Sequence, residues 1–597
     1  MDVSYHDEEI LGKAYDNRLM KRLLTYLKPY RRLVLLSVAI LLLSSLTQLA
    51  GPYLTKVAID KYITAGDSKG LLRIIFLFMG VIALGFSLEY IRVYLMEYIG
   101  QKAMYDMRME IFSHVQELNL TFFDKNPVGR ILTRITFDVN VLNEMFTSGV
   151  VAIFGDIFIL IGIVVVMLLL KWQLALIVFS VIPFLVIATA VFRKKVRQSY
   201  RDVRTATARI NAYTQEHITG ISVVQSFTVE QKAYSGFEKI NKNLMNARLR
   251  SVFYYAVFFP VVELIGAFSL VLIIGYGGSK VIAGTLTLGA LVAFIQYADR
   301  FYRPIRDLSE KYNILQSAMA SSERIFKLLD TKSDIINPEN PIPLNKVQGK
   351  IEFKDLYFEY EKGNPVLYDI NLKIQPGEKI AIVGVTGSGK TTLINLLCRF
   401  YEYKRGEILI DGVSLKKIRE KDLRKNIALV LQDVFMFAGD IKRNIRLDSK
   451  EISLERIKQA AFEVGADKFI DKLDGGLDFQ LKERGLNLSV GQRQIIAFAR
   501  ALVFDPAILI LDEATSSVDT ETEILIQKAL KKLLAGRTSI IIAHRLSTIK
   551  GVDRIVVMHK GKIREIGTHD ELLQKRGIYS RLYQLQYKDQ EVTIVDG

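Results

Sequence analysis

The chain has 597 residues, more than one ordinary hydrophobic core holds, so at least two domains are expected. Half of the residues are hydrophobic, 24% are charged and the mean hydropathy is +0.21, which excludes an intrinsically disordered chain, while the single Cys398 excludes a disulfide scaffold. The formal net charge of +17 could face nucleic acid, but much of it flanks long apolar runs, so a lipid bilayer is the expected partner and no nucleic acid is.

The first residues carry Lys13, Arg18, Lys21, Arg22, Lys28, Arg31 and Arg32 and lack a short apolar region with a cleavage site, so they do not read as a removable signal peptide. A bilayer core about 30 Å thick needs roughly 20 apolar helical residues. Six such windows are read, at about 33–54, 71–99, 148–170, 174–192, 253–278 and 286–307, with a Lys171-Trp172-Gln173 turn between the third and fourth. Buried helices of a soluble protein are the plain alternative, but they rarely supply so many runs in half a chain. Positive charge is concentrated in 193–252, from Arg193, Lys194 and Lys195 to Arg250, whereas the opposite side shows Lys56, Lys61, Lys69, Lys171 and Lys280. The asymmetry places both termini in the cytoplasm of a multi-pass protein of the cell membrane.

The two cytoplasmic connections, 100–147 and 193–252, each have room for two helices of about 25 residues, or roughly 35 Å at the helical rise. Their tips are read at Phe122 to Arg130 (FFDKNPVGR) and at Thr219-Gly220-Ile221, where proline or glycine permits a reversal. Asp156 and Glu263 fall inside the third and fifth windows, where an ionised side chain is costly and commonly faces a cavity or a partner. They are candidates for recognising a cationic amphiphile, with a structural ion pair or a cytoplasmic helix extension as the alternative. Tyr254, Tyr255, Phe258, Phe259 and Phe268 suit an apolar pocket, lipid contact or packing.

Residues 308–330 continue a helix and 331–348 have the proline and polar content of a linker, so the membrane part is assigned to 1–330 and a second domain to 349–597. In that domain apolar strands alternate with helical stretches, the pattern of an α/β fold on a buried sheet. The strand 379–383 runs into Gly384-Val385-Thr386-Gly387-Ser388-Gly389-Lys390-Thr391-Thr392, which fits a phosphate-binding loop. Glycines let backbone N–H groups surround phosphates, Lys390 brings positive charge, and the Thr391 hydroxyl suits Mg²⁺. A second apolar strand ends in Asp512-Glu513. Asp512 suits a metal held through water and Glu513 the polarisation of attacking water, although such a pair standing alone is more often a solvated turn.

Between them lies Leu488-Ser489-Val490-Gly491-Gln492, ahead of an apolar helical pattern. The order of phosphate loop, Gln432, LSVGQ, LILDEA, SSVD and His544 resembles the ATP-binding-cassette proteins, and six windows before one cassette look like an exporter half-transporter. The segment FFDKNPVGRILTRITFDV also resembles the sequence around that family's first coupling helix. The implied fold is an all-α six-helix transmembrane domain followed by an α/β phosphate-loop cassette.

The resemblance implies that Tyr360 stacks on adenine, that Gln432 senses Mg²⁺ and the γ-phosphate, that His544 bonds the γ-phosphate, and that Asp519 lies at a dimer interface. It implies ATP and Mg²⁺ as cofactors and two cassettes closing face to face, with Ser489, Val490, Gly491 and Gln492 serving the partner's ATP. The family's usual LSGGQ has glycine where this chain has Val490, a β-branched residue that restricts the backbone. A heterodimer with a second half-transporter is therefore favoured, and a homodimer that tolerates valine is the alternative. The implied activity is ATP-driven export of drugs or lipids by alternating access. Fusion of cassette and membrane part argues against an importer, and the absence of a leading cytosolic domain against a peptide-processing exporter. The rival class is a membrane-anchored regulatory ATPase that moves nothing. Cys398, behind the phosphate loop, is expected to pack rather than react.

Overall fold

The computed structural model describes residues 16–344, 346–512, 520–543 and 549–586. The chain divides into two compact units, one of residues 1–116 and 128–331, the other of 117–127 and 332–597. The segment 117–127, assigned from sequence to the membrane part, thus belongs to the second unit.

The first unit is helical: α1 (Asn17–Thr25), α2 (Lys28–Ile63), α3 (Ser68–Glu117), and, after the short α4 (Leu120–Lys125) of the other unit, α5 (Val128–Phe179), α6 (Ile182–Thr219), α7 (Ile221–Ser226), α8 (Glu230–Ile282) and α9 (Leu288–Leu329). Among the described residues, α2, α3, α5 and α8 are the helices long and apolar enough to cross a membrane, four against the six windows read from sequence. The fourth window is divided between the end of α5 and the start of α6, whose remainder is strongly basic; the sixth opens α9, which turns charged from Asp299 onward. The expected turn between the third and fourth windows coincides with extended backbone at Lys171 (φ −165°, ψ 98°) inside α5.

At the second tip, α6 ends at Thr219, Gly220 caps it through its N–H to the Glu216 carbonyl at 2.9 Å, and α7 leads through Thr228 (φ +51°) into α8. The apolar core of this unit gathers Ile163, Met167 and Leu174 of α5 with Phe258 of α8 and Phe294 and Tyr297 of α9. Asp138 is only 1% exposed, and its carboxylate accepts from Ser321 Oγ at 2.8 Å and Arg324 Nε at 3.0 Å. A buried carboxylate shared by two donors is costly to delete. Asp138→Ala is expected to cost about 2 kcal/mol and to lower the unfolding temperature of the purified protein, with Asn retaining part of the loss; an unchanged unfolding temperature would show that the network contributes nothing.

The second unit is α/β. A four-stranded sheet in the order β2-β1-β4-β5 contains β1 (Ile351–Glu361), β2 (Asn364–Ile374), β4 (Arg405–Ile410) and β5 (Val413–Ser414). A six-stranded sheet runs β12-β11-β3-β10-β9-β6 and contains β3 (Lys379–Val383), β6 (Ile427–Val430), β9 (Ile508–Asp512), β10 (Thr538–Ile542), β11 (Arg554–His559) and β12 (Lys562–Gly567), and β7 (Gly439–Asp440) pairs with β8 (Gln480–Leu481) in a two-stranded ribbon. The central strands β3, β9 and β10 read Lys-Ile-Ala-Ile-Val, Ile-Leu-Ile-Leu-Asp and Thr-Ser-Ile-Ile-Ile because both faces are covered, which removes any need for alternation. Two helices carry motif residues, α10 (Lys390–Leu397) and α11 (Val490–Val503), and α12 (Thr520–Leu533) follows the SSVD segment in sequence.

Candidate nucleotide-binding site

In the six-stranded sheet β3, β6, β9, β10 and β11 are parallel, so their carboxyl ends lie along one edge, where open α/β sheets bind ligands. Register places Ile542 beside both Ile382 and Asp512, and Leu511 beside Val430. The loop after β3, Asp512 at the end of β9, Ala543 after β10 and Leu431-Gln432 after β6 therefore emerge together. Motifs far apart in the chain are brought into one row by strand order alone. Glu513, Asp519 and His544 lie outside the described residues.

The phosphate-loop residues Gly384 to Thr392 form a tight turn between β3 and α10. Gly384 (φ +157°) has the Met558 carbonyl oxygen 2.2 Å from where a Cβ would stand, and Gly389 (φ +100°) caps α10 with Leu367 2.7 Å from its would-be Cβ. Both positions exclude any side chain. Lys390 is 8% exposed, and its Nζ donates to the carbonyls of Gly384 at 2.7 Å and Val385 at 3.2 Å, which holds the ammonium inside the loop. Burial pulls its pKa below the usual lysine value, and the Asp512 carboxylate acts in the opposite direction. Among the described residues, Ser388 Oγ is buried with no hydrogen-bond partner. A glycine-bearing turn, a helix amino terminus, an enclosed cation and a buried hydroxyl form a donor set that fits a triphosphate.

Tyr360 ends β1 with its ring 42% exposed. Its hydroxyl donates to Thr392 Oγ1 at 3.2 Å, and its ring stands edge-on to Phe358 at 4.8 Å and to Tyr401 at 5.0 Å. One face is thus held beside the phosphate loop and available to a base. Tyr360→Leu is expected to weaken ATP binding about tenfold, the order of a base–aromatic stack, in an equilibrium titration; unchanged affinity would remove Tyr360 from the adenine site. Gln432 is exposed in the loop after β6. Cys398 is 3% exposed and burial pushes its thiol up to about 12, as befits a packing residue.

Ser489 caps α11: its Oγ accepts from Gln492 N at 3.2 Å, while Gln492 Oε1 accepts from Ser489 N at 2.9 Å. Val490 is the first helical residue, 48% exposed, and is not among the residues with positive φ. The backbone restriction expected of valine therefore has no effect on this conformation. What distinguishes Val490 from glycine is the exposed side chain beside the helix amino terminus.

Comparison with known proteins decides the kinship. Residues 34–305 match the family described as ABC transporter transmembrane region, and residues 367–516 match the family described as ABC transporter. The uncharacterized ABC transporter ATP-binding protein YknV of Bacillus subtilis is 41% identical over 98% of this chain and 97% of its own length. The chain belongs to the ABC transporter family. An ATP-dependent lipid A-core flippase of Syntrophus aciditrophicus is 37% identical over 96% of this chain and 95% of its own length. The solved structure of a bacterial Atm1-family ABC exporter with ATP bound superimposes with a TM-score of 0.77 at 27% identity, covering 93% of this chain and 98% of that one. Helical transmembrane region and α/β cassette are those of an ABC exporter, and the cassette is an ATP-binding ATPase coupled to transport.

In the membrane unit of this ABC transporter, Asp156 accepts a hydrogen bond from Lys311 of α9, and Glu263 is exposed on α8. Phe258 is buried and stacked on Phe192 at 3.9 Å, whereas Phe259 and Phe268 are exposed. Sequence reading missed a second acidic and basic pairing, Glu89 with Arg92 on α3, where Arg92 Nε donates to Glu89 at 2.9 Å. A spacing of three residues on a helix was the available signal.

Proposed function

We propose that this chain is one half of an exporter that uses ATP to move amphipathic or hydrophobic molecules, drugs or lipids, across the cell membrane. The observation that carries the reading is the sheet edge at which the Gly384–Thr392 loop, Asp512 and Gln432 converge, in a chain whose other unit supplies long apolar helices. The names of the relatives, one a lipid A-core flippase, support the substrate class.

In this reading Lys390, Ser388 and the loop N–H groups hold the phosphates, Tyr360 holds the adenine, and Thr391, Gln432 and Asp512 hold Mg²⁺, which supplies positive charge at the transferring phosphoryl group. Glu513 orients and deprotonates the attacking water, and His544 donates to the γ-phosphate. Ser489, Gly491 and Gln492 of a second cassette complete the enclosure, with Asp519 at the seam. The segments 122–130 and 218–223 transmit closure to the long helices, because ATP binds the closed pair more tightly than the open one. Both termini and the cassette are cytoplasmic.

The assembly is a heterodimer in our reading, since the exposed Val490 side chain at the helix amino terminus would crowd a γ-phosphate presented to the signature. A homodimer is the second reading, favoured by the unstrained backbone at Val490 and the intact Ser489 cap. Asp156, already paired to Lys311, would have to exchange that partner to bind a cationic amphiphile; Glu263 would not. The test is Mg²⁺-dependent ATP hydrolysis by the chain purified alone in lipid, with and without ethidium as a cationic amphiphile. Robust hydrolysis that responds to ethidium supports a working homodimer. Folded, ATP-binding protein without hydrolysis sends the search to a partner subunit, and hydrolysis indifferent to ethidium and to lipid composition favours the regulatory ATPase.

A further inference from the structure

The turn that follows α10 gathers three strands of the architecture. Arg399 (φ +51°) is 1% exposed, and its guanidinium donates to the Ile418 carbonyl at 2.8 Å and to the Ile336 carbonyl of the linker at 3.1 Å. Two residues on, Tyr401 is 8% exposed, its ring lies edge-on to Tyr360, and its hydroxyl donates to Asp124 Oδ2 of α4 at 2.7 Å. Asn119, at the start of the same segment, donates to Asp334 of the linker at 3.4 Å. Both places where the chain passes between its two units, 117–127 and the linker, are therefore tied to one turn directly behind the phosphate-loop helix.

The contacts form a chain of fixed geometry. Thr392 of the phosphate loop accepts from the Tyr360 hydroxyl, Tyr360 packs on Tyr401, and Tyr401 donates to Asp124. Burial first, and then the Asp124 carboxylate, raise the Tyr401 pKa, so the hydroxyl stays protonated and remains a donor throughout the physiological range. Asp124 itself is exposed, so among the described residues it is the bond from Tyr401, rather than burial, that holds its carboxylate to the cassette.

We propose that Tyr401 is a positioning residue that reports occupation of the Tyr360 ring to the coupling segment 117–127, with Arg399 fixing the linker on the same turn. A base stacked on Tyr360 restricts the ring, the edge-on contact restricts Tyr401, and the hydroxyl steadies Asp124 and α4. The inference rests on the reading of Tyr360 as the adenine residue.

The experiment is hydrogen exchange of the full protein in lipid nanodiscs, with and without the non-hydrolysable analogue AMP-PNP and Mg²⁺, in the parent, Tyr401→Phe and Asp124→Asn. Phenylalanine keeps the ring stack and leaves Asp124 in water, so folding is preserved; asparagine keeps an acceptor oxygen. In the parent, nucleotide is expected to slow exchange in 384–392 and, by about tenfold, in 117–127. Tyr401→Phe keeps the first effect and reduces the second to below about twofold, whereas Asp124→Asn, with the Tyr401 hydroxyl and an acceptor oxygen both present, retains most of it. ATP hydrolysis by Tyr401→Phe keeps the parent's KM while kcat falls. Parent-like protection of 117–127 in Tyr401→Phe, or no nucleotide effect there in the parent, overturns the relay. Loss of protection over 384–392 in Tyr401→Phe also overturns it, because the hydroxyl would then support the nucleotide site directly. Absence of that protection in the parent overturns the site reading itself.

Discussion

Lys390→Ala is expected to lower ATP turnover by about two to three orders of magnitude, the usual effect of removing one preorganised charge stabiliser. The Lys390 ammonium is held inside the loop by the carbonyls of Gly384 and Val385 and is nearly excluded from water, so its charge acts on a bound triphosphate with little screening. Alanine removes that charge without harming α10, since it is the better helix former and stands at the first helical position. The variant should therefore fold, with unchanged circular dichroism, and fail in a phosphate-release assay. Turnover within a few-fold of the parent would show that the helix amino terminus and loop N–H groups suffice without the cation.

Glu513→Gln is expected to reduce turnover by about two to four orders of magnitude, the range for losing a general base, while leaving ATP affinity intact. The amide keeps the shape of the carboxylate but cannot accept the proton of the attacking water. ATP then persists between the cassettes, and the closed pair accumulates. Incubation with ATP and Mg²⁺, removal of free nucleotide and counting of retained, unhydrolysed ATP checks this directly. Normal phosphate release would remove Glu513 from the base role read from its place after the apolar strand and Asp512.

The parts of the site that were legible in the sequence are those encoded by local steric demand. Gly384 (φ +157°) and Gly389 (φ +100°) hold backbone angles that side-chain-bearing residues rarely adopt, so their spacing around Lys390 can be read without a fold, whereas the Met558 and Leu367 atoms that a Cβ would meet there are supplied by the fold. Tyr360 enters the proposed site only through resemblance, because one aromatic at a strand end carries no periodic signal. The convergence of Asp512 and Gln432 with the loop depends on the strand order β3-β10-β9-β6, which no local pattern encodes. Membership of 117–127 in the cassette unit was illegible for the same reason: Asp124 finds Tyr401 across 277 residues of chain. The apolar windows measured composition rather than helix bounds, which is why the fourth straddles the end of α5 and the start of α6. At Val490 the propensity argument failed because the first position of a helix needs no glycine and the Ser489 capping box fixes the backbone there.

The central claim, that hydrolysis at this cassette drives molecules across the bilayer, is tested most directly in proteoliposomes holding the protein as recovered from its native membrane, with any partner that accompanies it. Hydrolysis and the movement of a fluorescent phospholipid and of ethidium are measured in the same sample, beside Glu513→Gln. The account predicts ATP-dependent movement of at least one probe, abolished together with hydrolysis in the variant. Full hydrolysis with neither probe moved would contradict it and leave a membrane-held ATPase that acts on other proteins.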